Sequence, residues 1–223
     1  RKFVATANPP FNLPNNTYKL LNSFSPNPVL SNIIRSINRA IDILNVFLED
    51  QNYLSINEIC SKTGLPRPTV YRLLYTLENR GLIKYEESEQ KYRLGFKFLE
   101  YSNALSSSLD IVKEAEDILT QLHHKTQQTT LLVILEGDHI VYVLKREKQV
   151  GLKYASSVGQ RRPVSYGALG RSIMAFLPEE KISQLLDQGV PKLTPYTTTD
   201  RDQVIKQLNQ IRKEKVYVEK NET

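Results

Sequence analysis

Apolar residues recur at steps of three and four positions from Ser31 onward, which is the spacing of one face of an α-helix. This pattern predicts a first helix whose buried face carries Ile33, Ile34, Ile37, Ala40, Ile41, Leu44 and Phe47 with Leu48. A second helix is predicted after Ser55, the N-cap, with Glu58 three residues later as its capping-box partner. Gly64 supplies the left-handed residue that ends this helix.

A third helix is predicted to begin around Pro68, since proline is tolerated in the first turn of a helix. Gly81 ends it, and residues 82–85 and 91–94 predict two strands around a polar turn. Three helices followed by a hairpin are typical of a winged helix-turn-helix, a device that lays one helix in the major groove of DNA. The inward face of the third helix is expected to carry Val70, Leu73, Leu74 and Leu77.

The remainder of the chain mixes helical and strand patterns. A linking helix is predicted over 96–109 and an amphipathic helix over 111–126, and two β-rich runs, 129–135 and 139–144, meet at a hairpin. Three further helices are expected, opening near Tyr166, Pro178 and Asp200, before a strand that starts at 216. This mixture predicts an α+β domain, and because the last strand lacks partners, we expect that domain to be incomplete at its C-terminal end.

The segment before Ser31 is rich in Asn and Pro and has weak periodicity, which favours a flexible or loosely packed arm. The alternative is a basic arm that follows a phosphate backbone through Arg1, Lys2 and Lys19. The predicted organisation is an arm over 1–30, a winged helix-turn-helix over 31–95, a linker helix over 96–110 and a second domain over 111–223.

Composition narrows the class of protein. The net charge of +6 and the pI near 9.2 are compatible with a nucleic-acid partner, and the basic residues of 66–84 face one acid, Glu78. The single cysteine, Cys60, excludes an internal disulfide framework and fits a reducing cytoplasm. No signal peptide is visible, and no apolar run approaches the ~18 residues that a membrane-spanning helix needs. We therefore expect a cytoplasmic protein.

Taken together, these motifs resemble the IclR family of bacterial and archaeal transcription regulators over roughly residues 36–217. The resemblance rests on the order and spacing of 36–44, 64–66, 69–74, 81–83 and 92–95, and of 141–143, 159–163, 168–171, 175–180 and 193–195. It implies a regulator whose second domain, with a GAF-like fold, binds a small molecule and modulates operator binding. It also implies a homodimer or a dimer of dimers. The family often has His and Thr where this chain has Tyr166 and Gly167.

The candidate DNA contacts lie on the third helix and the wing. Tyr71 and Arg72 are the strongest, since an arginine can pair bidentately with guanine; the alternative is that Arg72 packs on the surface or pairs with Glu78. A phosphate contact is expected near the helix start, and wing contact is opposed by the acids at the wing tip. The full set is Arg67, Thr69, Tyr71, Arg72, Tyr75 and Lys84, with Lys91 as a further wing candidate.

The candidate effector site runs from Gly159 to Gly170. Glycines allow close backbone approach, and amides near the helix start that follows Pro163 could receive a carboxylate or a similar anion. The alternative is a structural loop with an ordinary helix start. The candidates are Gly159, Arg161, Pro163, Ser165, Tyr166, Gly167, Ala168, Leu169 and Gly170.

Other chemistry has little support. His123 and His124 are adjacent on a helix and point about 100° apart, so they are poorly placed to share a metal ion. We expect no metal, no cofactor and no catalytic site. Two alternatives to an effector-controlled regulator remain: a DNA-binding regulator with a ligand-free oligomerisation domain, and an enzyme with a winged-helix accessory domain. A dimer interface is expected on the first helix, through Ile33, Ile37, Ile41 and Leu44, or on the linker helix.

Overall fold

The computed structural model describes residues 2–6, 33–49, 53–148, 156–192 and 194–220. These residues form two compact units: the winged-helix unit, 33–109, and the C-terminal unit, which combines 2–6 with 110–220. Most of the predicted arm, including Arg1 and Lys19, lies outside the described residues, as does residue 193. In the part of the chain that the structure describes, none of the helices has the length and apolar character needed to cross a membrane.

The described elements belong to the winged-helix unit between residues 35 and 108 and to the C-terminal unit before and after that range. In chain order they are β1 (Lys2–Thr6), α1 (Arg35–Glu49), α2 (Ile56–Thr63), α3 (Arg67–Asn79), β2 (Ile83–Glu86), β3 (Lys91–Leu94), α4 (Lys97–Ser108), α5 (Asp110–Thr126), β4 (Thr130–Glu136), β5 (His139–Arg146), β6 (Arg161–Pro163), α6 (Gly167–Met174), α7 (Glu179–Asp187), α8 (Arg201–Glu214) and β7 (Val216–Lys220). The predicted winged helix-turn-helix, α1 to α3 followed by the β2–β3 hairpin, is confirmed.

The start and end of α2 follow the predicted local chemistry. The Ser55 hydroxyl accepts from the Glu58 amide at 3.3 Å, and the Glu58 carboxylate accepts from the Ser55 amide at 2.7 Å. These hydrogen bonds form the capping box, and the bond from the Ser55 amide lowers the pKa of Glu58 most. Gly64 has a φ of 66° and ends the helix in the left-handed region, where most side chains are strained.

The prediction for the buried face of α1 was wrong. Ile33, Ile34, Ile37, Ile41 and Leu48 are exposed, whereas Ala40 and Leu44 are half-buried and Phe47 is buried. The buried face is formed by Ile43, Val46 and Phe47, which also follow a helical spacing. α1 therefore carries two apolar stripes, and its own unit covers one of them.

The winged-helix unit has one buried cluster, to which α1, α2, α3 and β2 all contribute. Three of the four predicted inward residues of α3, Val70, Leu74 and Leu77, are buried, and Leu73 is half-buried. The cluster contains Ile43, Val46, Phe47, Leu54, Ile59, Val70, Leu74, Leu77 and Ile83. It leaves the opposite side of α3 exposed.

The C-terminal unit contains an antiparallel sheet with the strand order β4-β5-β6. The predicted hairpin between β4 and β5 is confirmed, with Gly137 at a φ of 61° in the turn. The helices of the C-terminal unit follow the predictions in part. Asp200 caps α8 as predicted, accepting from the Gln203 amide at 2.9 Å. The amphipathic helix predicted over 111–126 is α5, on which Val112, Ala115 and Leu119 are half-buried, whereas Ile118 and Leu122 are exposed. The core comprises Ile140, Tyr142, Val164, Met174, Ala175, Ile182, Leu185, Leu186, Val204, Leu208 and Ile211.

Residues 2–6, inside the segment predicted as an arm, form a strand of the C-terminal unit. β1 pairs antiparallel with the whole of β7, from Lys2 opposite Lys220 to Thr6 opposite Val216, so the expectation that the last strand lacks a partner was wrong. β1 and β7 both pack against α6. The winged-helix unit is thus inserted in the chain between two segments of the C-terminal unit.

Candidate nucleic-acid interface and candidate effector site

The exposed side of α3 carries three of the predicted DNA contacts. Tyr71 and Tyr75 are four residues apart, on the same side of the helix, and are 59% and 62% exposed. Arg72 is exposed beside them. The side of α3 with Val70, Leu74 and Leu77 is fixed in the core, so these long polar side chains project from the unit.

The alternative in which Arg72 pairs with Glu78 is not observed among the described residues. Glu78 instead accepts a hydrogen bond from the Tyr85 amide at 2.9 Å, which ties the end of α3 to strand β2 of the wing. The guanidinium of Arg72 remains available for a base or a phosphate.

The start of α3 carries Arg67 and Thr69. The Arg67 Nη1 donates to Asn57 Oδ1, on the first turn of α2, at 2.7 Å. Thr69 is half-buried, and its amide donates to the Pro66 carbonyl at 2.9 Å. Sequence reasoning missed Asn57, because a polar residue in the first turn of a helix carries no signal for a contact ten positions away.

The wing lysines lie beside carboxylates. Lys84 Nζ is 3.6 Å from Glu86, and Lys91 Nζ is 3.9 Å from Glu58. Glu86 also accepts from Arg93 Nε at 2.8 Å, and this hydrogen bond is the main cause of its lowered pKa. Exposed ion pairs of this kind contribute little to stability, because water and salt screen them. A phosphate group could therefore displace either pair at little cost.

An open groove runs between the start of α2, the exposed side of α3 and the wing. Two of the predicted DNA contacts, Arg67 and Tyr71, line this groove together with acidic residues and two further tyrosines. Its lining residues are Ser55, Ile56, Asn57, Arg67, Tyr71, Glu78, Tyr85, Glu87, Gln90 and Tyr92.

In the C-terminal unit, the candidate effector residues follow one short path from β6 into α6. The Tyr166 amide donates to the Pro163 carbonyl at 3.0 Å, which turns the chain into the helix. Ser165 and Ala168 are buried, and Leu169 is half-buried. The Gly159 amide donates to the Tyr142 carbonyl at 2.8 Å, and Gly159 precedes β6, so it lies at the opposite end of this strand from the helix start.

Two candidate effector residues have structural roles. A Cβ atom at Gly170 would lie 2.4 Å from the Val164 carbonyl oxygen, so this position needs glycine for α6 to approach the preceding chain. Arg161 is paired with Glu136 of β4. Arg162, beside it, stacks its guanidinium 5.2 Å from the centre of the Tyr166 ring.

The start of α6 has no side-chain cap, because the N-cap residue is Tyr166 and makes no capping hydrogen bond. The first amides of a helix have no partner within the helix, and they favour a negatively charged group. The arrangement can therefore receive a small anion such as a carboxylate.

Arg171 is a buried charged residue that sequence reasoning did not single out. It is 1% exposed, and its guanidinium donates to the Thr198 carbonyl at 2.6 Å, to the Tyr217 hydroxyl at 3.3 Å and to Gln207. These partners belong to α8, to β7 and to the loop before α8. Arginine is rarely fully buried, so its sequence position alone suggests an exposed residue.

The histidines do not converge. His123 Nδ1 lies 2.7 Å from the Gln128 carbonyl oxygen, and the rings of His123 and His124 are 5.7 Å apart and tilted. Among the described residues there is no group of three or more His, Cys, Asp or Glu side chains that could hold a metal ion. Cys60 is half-buried and packs against the core of the winged-helix unit.

Comparison with known proteins assigns a family to both units. Residues 36–87 match the IclR helix-turn-helix domain, and residues 103–223 match the C-terminal domain of the bacterial transcriptional regulator IclR. The chain is 36% identical over 183 residues to the HTH-type transcriptional regulator XynR of Escherichia coli, which covers 82% of this chain and 73% of that protein. It is 29% identical over 181 residues to KipR of Bacillus subtilis, covering 81% and 72%.

Solved structures agree with this assignment. A transcriptional regulator of the same family from Alicyclobacillus acidocaldarius superposes with a TM-score of 0.71 at 27% identity, covering 82% of this chain and 74% of that one. A homologue from Microbacterium hydrocarbonoxydans, solved with 4-hydroxybenzoate, shares the fold with a TM-score of 0.72 at 20% identity, covering 80% and 74%. The chain therefore belongs to the IclR family, DNA-binding transcription regulators with an effector-binding C-terminal domain.

Proposed function

We propose that this chain reads an operator with the exposed side of α3 and that a small carboxylate bound at the start of α6 changes its operator affinity. The observation that carries the first part is the exposed set of Tyr71, Arg72 and Tyr75 on a helix whose other side is fixed in the core. Arg67, Thr69 and Lys84 extend this set to the helix start and the wing. Such a helix presents its polar side chains to base edges in the major groove.

The proposed effector site is the uncapped start of α6, with Gly159, Arg161, Pro163, Ser165, Tyr166, Gly167, Ala168, Leu169 and Gly170 as its candidates. The free amides of the first turn favour a carboxylate, and the neighbour from Microbacterium hydrocarbonoxydans holds one, 4-hydroxybenzoate. The effector can shift operator affinity by its differential affinity for the two states of the protein and by no more than that.

The proposed assembly is a homodimer or a dimer of dimers. Two sets of exposed apolar residues in the winged-helix unit support it: Ile37 and Ile41 on α1 with Ile33 and Ile34 just before it, and Tyr101 with Leu105 one turn later on α4. Contiguous exposed apolar residues mark an interaction surface. A two-fold dimer would place two copies of α3 about 34–36 Å apart, or a multiple of that distance, along a palindromic site.

DNA binding is tested by selection of genomic fragments with the purified protein, followed by affinity measurements at several salt concentrations. We expect a palindromic site, a steep salt dependence, and loss of sequence preference in Arg72→Ala. Weak, sequence-blind binding that is the same in Arg72→Ala would refute groove reading by α3.

The effector proposal is tested separately by thermal stability in the presence of 4-hydroxybenzoate and of its uncharged amide, 4-hydroxybenzamide. We expect the carboxylate to raise the melting temperature more than the amide does, because ligand binding to the folded state stabilises it. Equal effects of the two compounds would argue against an anion at the α6 start.

A further inference from the structure

Arg67 is held in place before any DNA is bound. Its Nη1 group donates to Asn57 Oδ1 at 2.7 Å, across the turn that joins α2 to α3. Asn57 lies in the first turn of α2, whose start is fixed by the capping box of Ser55 and Glu58 and by the paired backbone of Leu54 and Tyr92. The orientation of the Arg67 guanidinium is thus set by its own unit.

We infer that Arg67 reads a guanine base of the operator and that Asn57 is the positioning residue that orients it. The inference rests on the proposed reading of an operator by α3. The sequence predicted a phosphate contact near the start of this helix, whereas we infer that Arg67 contacts a base. A guanidinium has five N–H donors in one plane. Asn57 uses one N–H of Nη1, which leaves the edge formed by Nε and Nη2 for guanine N7 and O6.

The prior orientation favours a base over a phosphate. A bidentate contact to guanine requires one orientation of the guanidinium, whereas a phosphate accepts many. Ordering a long side chain costs free energy on binding, and a hydrogen bond that already orders it reduces that cost. The Asn57 hydrogen bond therefore strengthens a contact of Arg67 with a base more than it strengthens a contact with a phosphate.

The charges around Arg67 point the same way. Glu78 and Glu87 line the same open groove as Asn57 and Arg67, and their carboxylates oppose a nearby phosphate. Arg67 is also the first residue of α3, where the helix dipole disfavours a positive charge. A binding partner with hydrogen-bond acceptors would explain a cation at that end of the helix. Guanine has two such acceptors, N7 and O6, in the major groove.

The test compares sequence preference among variants that differ in one property. Operator preference is measured by selection from a randomised site with the wild-type protein, Arg67→Ala, Arg67→Lys and Asn57→Ala. We expect the wild type to prefer a G·C pair at one position by roughly 5- to 150-fold. Arg67→Lys keeps the charge but not the planar fork, so it should lose this preference as fully as Arg67→Ala does.

Asn57→Ala should reduce the preference at that same position while leaving the slope of affinity against salt unchanged, since it removes no charge. Ser61→Ala, on an exposed position of the same helix, is the matched control and should behave as the wild type. Thermal melting of each variant checks that the exposed substitutions leave the fold intact.

Four results would overturn the inference. If Arg67→Lys keeps the preference, or if Arg67→Ala weakens binding equally on all sequences with a salt slope smaller by about 0.9, Arg67 contacts a phosphate. If Arg67→Ala loses the preference and Asn57→Ala keeps it in full, Asn57 is not a positioning residue. An absence of any sequence preference in the wild type, unchanged by Arg72→Ala, would instead refute operator reading itself and this inference with it.

Discussion

Leu54 and Tyr92 exchange both backbone hydrogen bonds, with N–O distances of 2.8 and 2.7 Å. This antiparallel bridge joins the residue before the α2 N-cap to strand β3 of the wing. The ion pair between Glu58 and Lys91 spans the same two elements. Backbone hydrogen bonds and an ion pair therefore connect the wing to the start of α2. Substitutions at the α2 cap should consequently also affect the stability of the wing.

The first prediction concerns that cap. Ser55→Ala removes the hydroxyl that accepts from the Glu58 amide and should lower the free energy of unfolding by about 1 kcal/mol. The pKa of Glu58 should rise toward its ordinary value, because that variant also loosens the helix start that holds the carboxylate on the Ser55 amide. Urea unfolding and carboxyl titration by NMR check both effects, with Ser61→Ala as the control.

The second prediction is the pH dependence that follows from Glu58. Its pKa is lower in the folded protein than in the unfolded chain, so the unfolded chain binds more protons in that range. The stabilisation is fully present above the unfolded value, about 4.3, and is lost as the pH falls through the folded value. Glu58→Gln should flatten this part of the stability curve, and an unchanged curve would contradict the assignment.

The third prediction concerns the close approach of α6 to the chain at Val164. Gly170→Ala places a Cβ atom 2.4 Å from the Val164 carbonyl oxygen, a backbone atom with little freedom to move. We expect a loss of roughly 1–3 kcal/mol in unfolding free energy, the usual cost of overpacking. Denaturant unfolding checks this, and a variant as stable as the wild type would show that α6 can shift away.

The fourth prediction concerns Ser172, two residues later on the same helix, where substitution by alanine should not reduce stability. It is 4% exposed, and within the described residues its hydroxyl oxygen has no hydrogen-bond partner. An unsatisfied buried hydroxyl is costly, so Ser172→Ala should leave the stability unchanged or raise it. A clear loss of stability in the same unfolding experiment would show that the hydroxyl is satisfied in solution.

The fifth prediction tests the proposed dimer. Ile37 is 53% exposed on α1, and Ile37→Asp should convert dimers to monomers by placing a charge in an apolar interface. Sedimentation velocity measures the change, and circular dichroism should show an intact fold because Ile37 is outside the buried cluster. Asn38→Asp, at the neighbouring exposed position, introduces the same charge and should remain dimeric.

Local chemistry predicted most elements of the fold, because caps, turns and hairpins depend on residues close in the chain. The Ser55 cap, the Gly64 turn and the Asp200 cap are such cases. On α1 the helical period was correct and the burial was wrong, since periodicity locates an apolar stripe without saying what covers it. The stripe through Ile37 and the stripe through Ile43 look alike in sequence.

Contacts between distant residues were beyond sequence reasoning. The Asn57–Arg67 hydrogen bond depends on the angle between two helices, and the burial of Arg171 depends on acceptors from Thr198 and Tyr217. Neither pair has a signature in composition or spacing. The candidate residues at the start of α6 lie together because they are consecutive, which is the simplest case to predict.

The pairing of β1 with β7 can be tested by a disulfide. Val4 lies opposite Val218 in the register, so Val4→Cys with Val218→Cys, in a Cys60→Ser background, should form a bond within one chain. Gel mobility under non-reducing conditions distinguishes this product from a cross-linked dimer. A product linked only between chains would show that the strand is exchanged between two copies.

That pairing also has a consequence for biosynthesis. β1 leaves the ribosome before the winged-helix unit, whereas its partner β7 is translated after α8. The winged-helix unit, whose contacts are local in the chain, can fold while synthesis continues, but the β1–β7 sheet cannot form before β7 has been synthesised. The nascent chain therefore completes its DNA-binding unit first, and β1 stays unpaired until β7 has been synthesised.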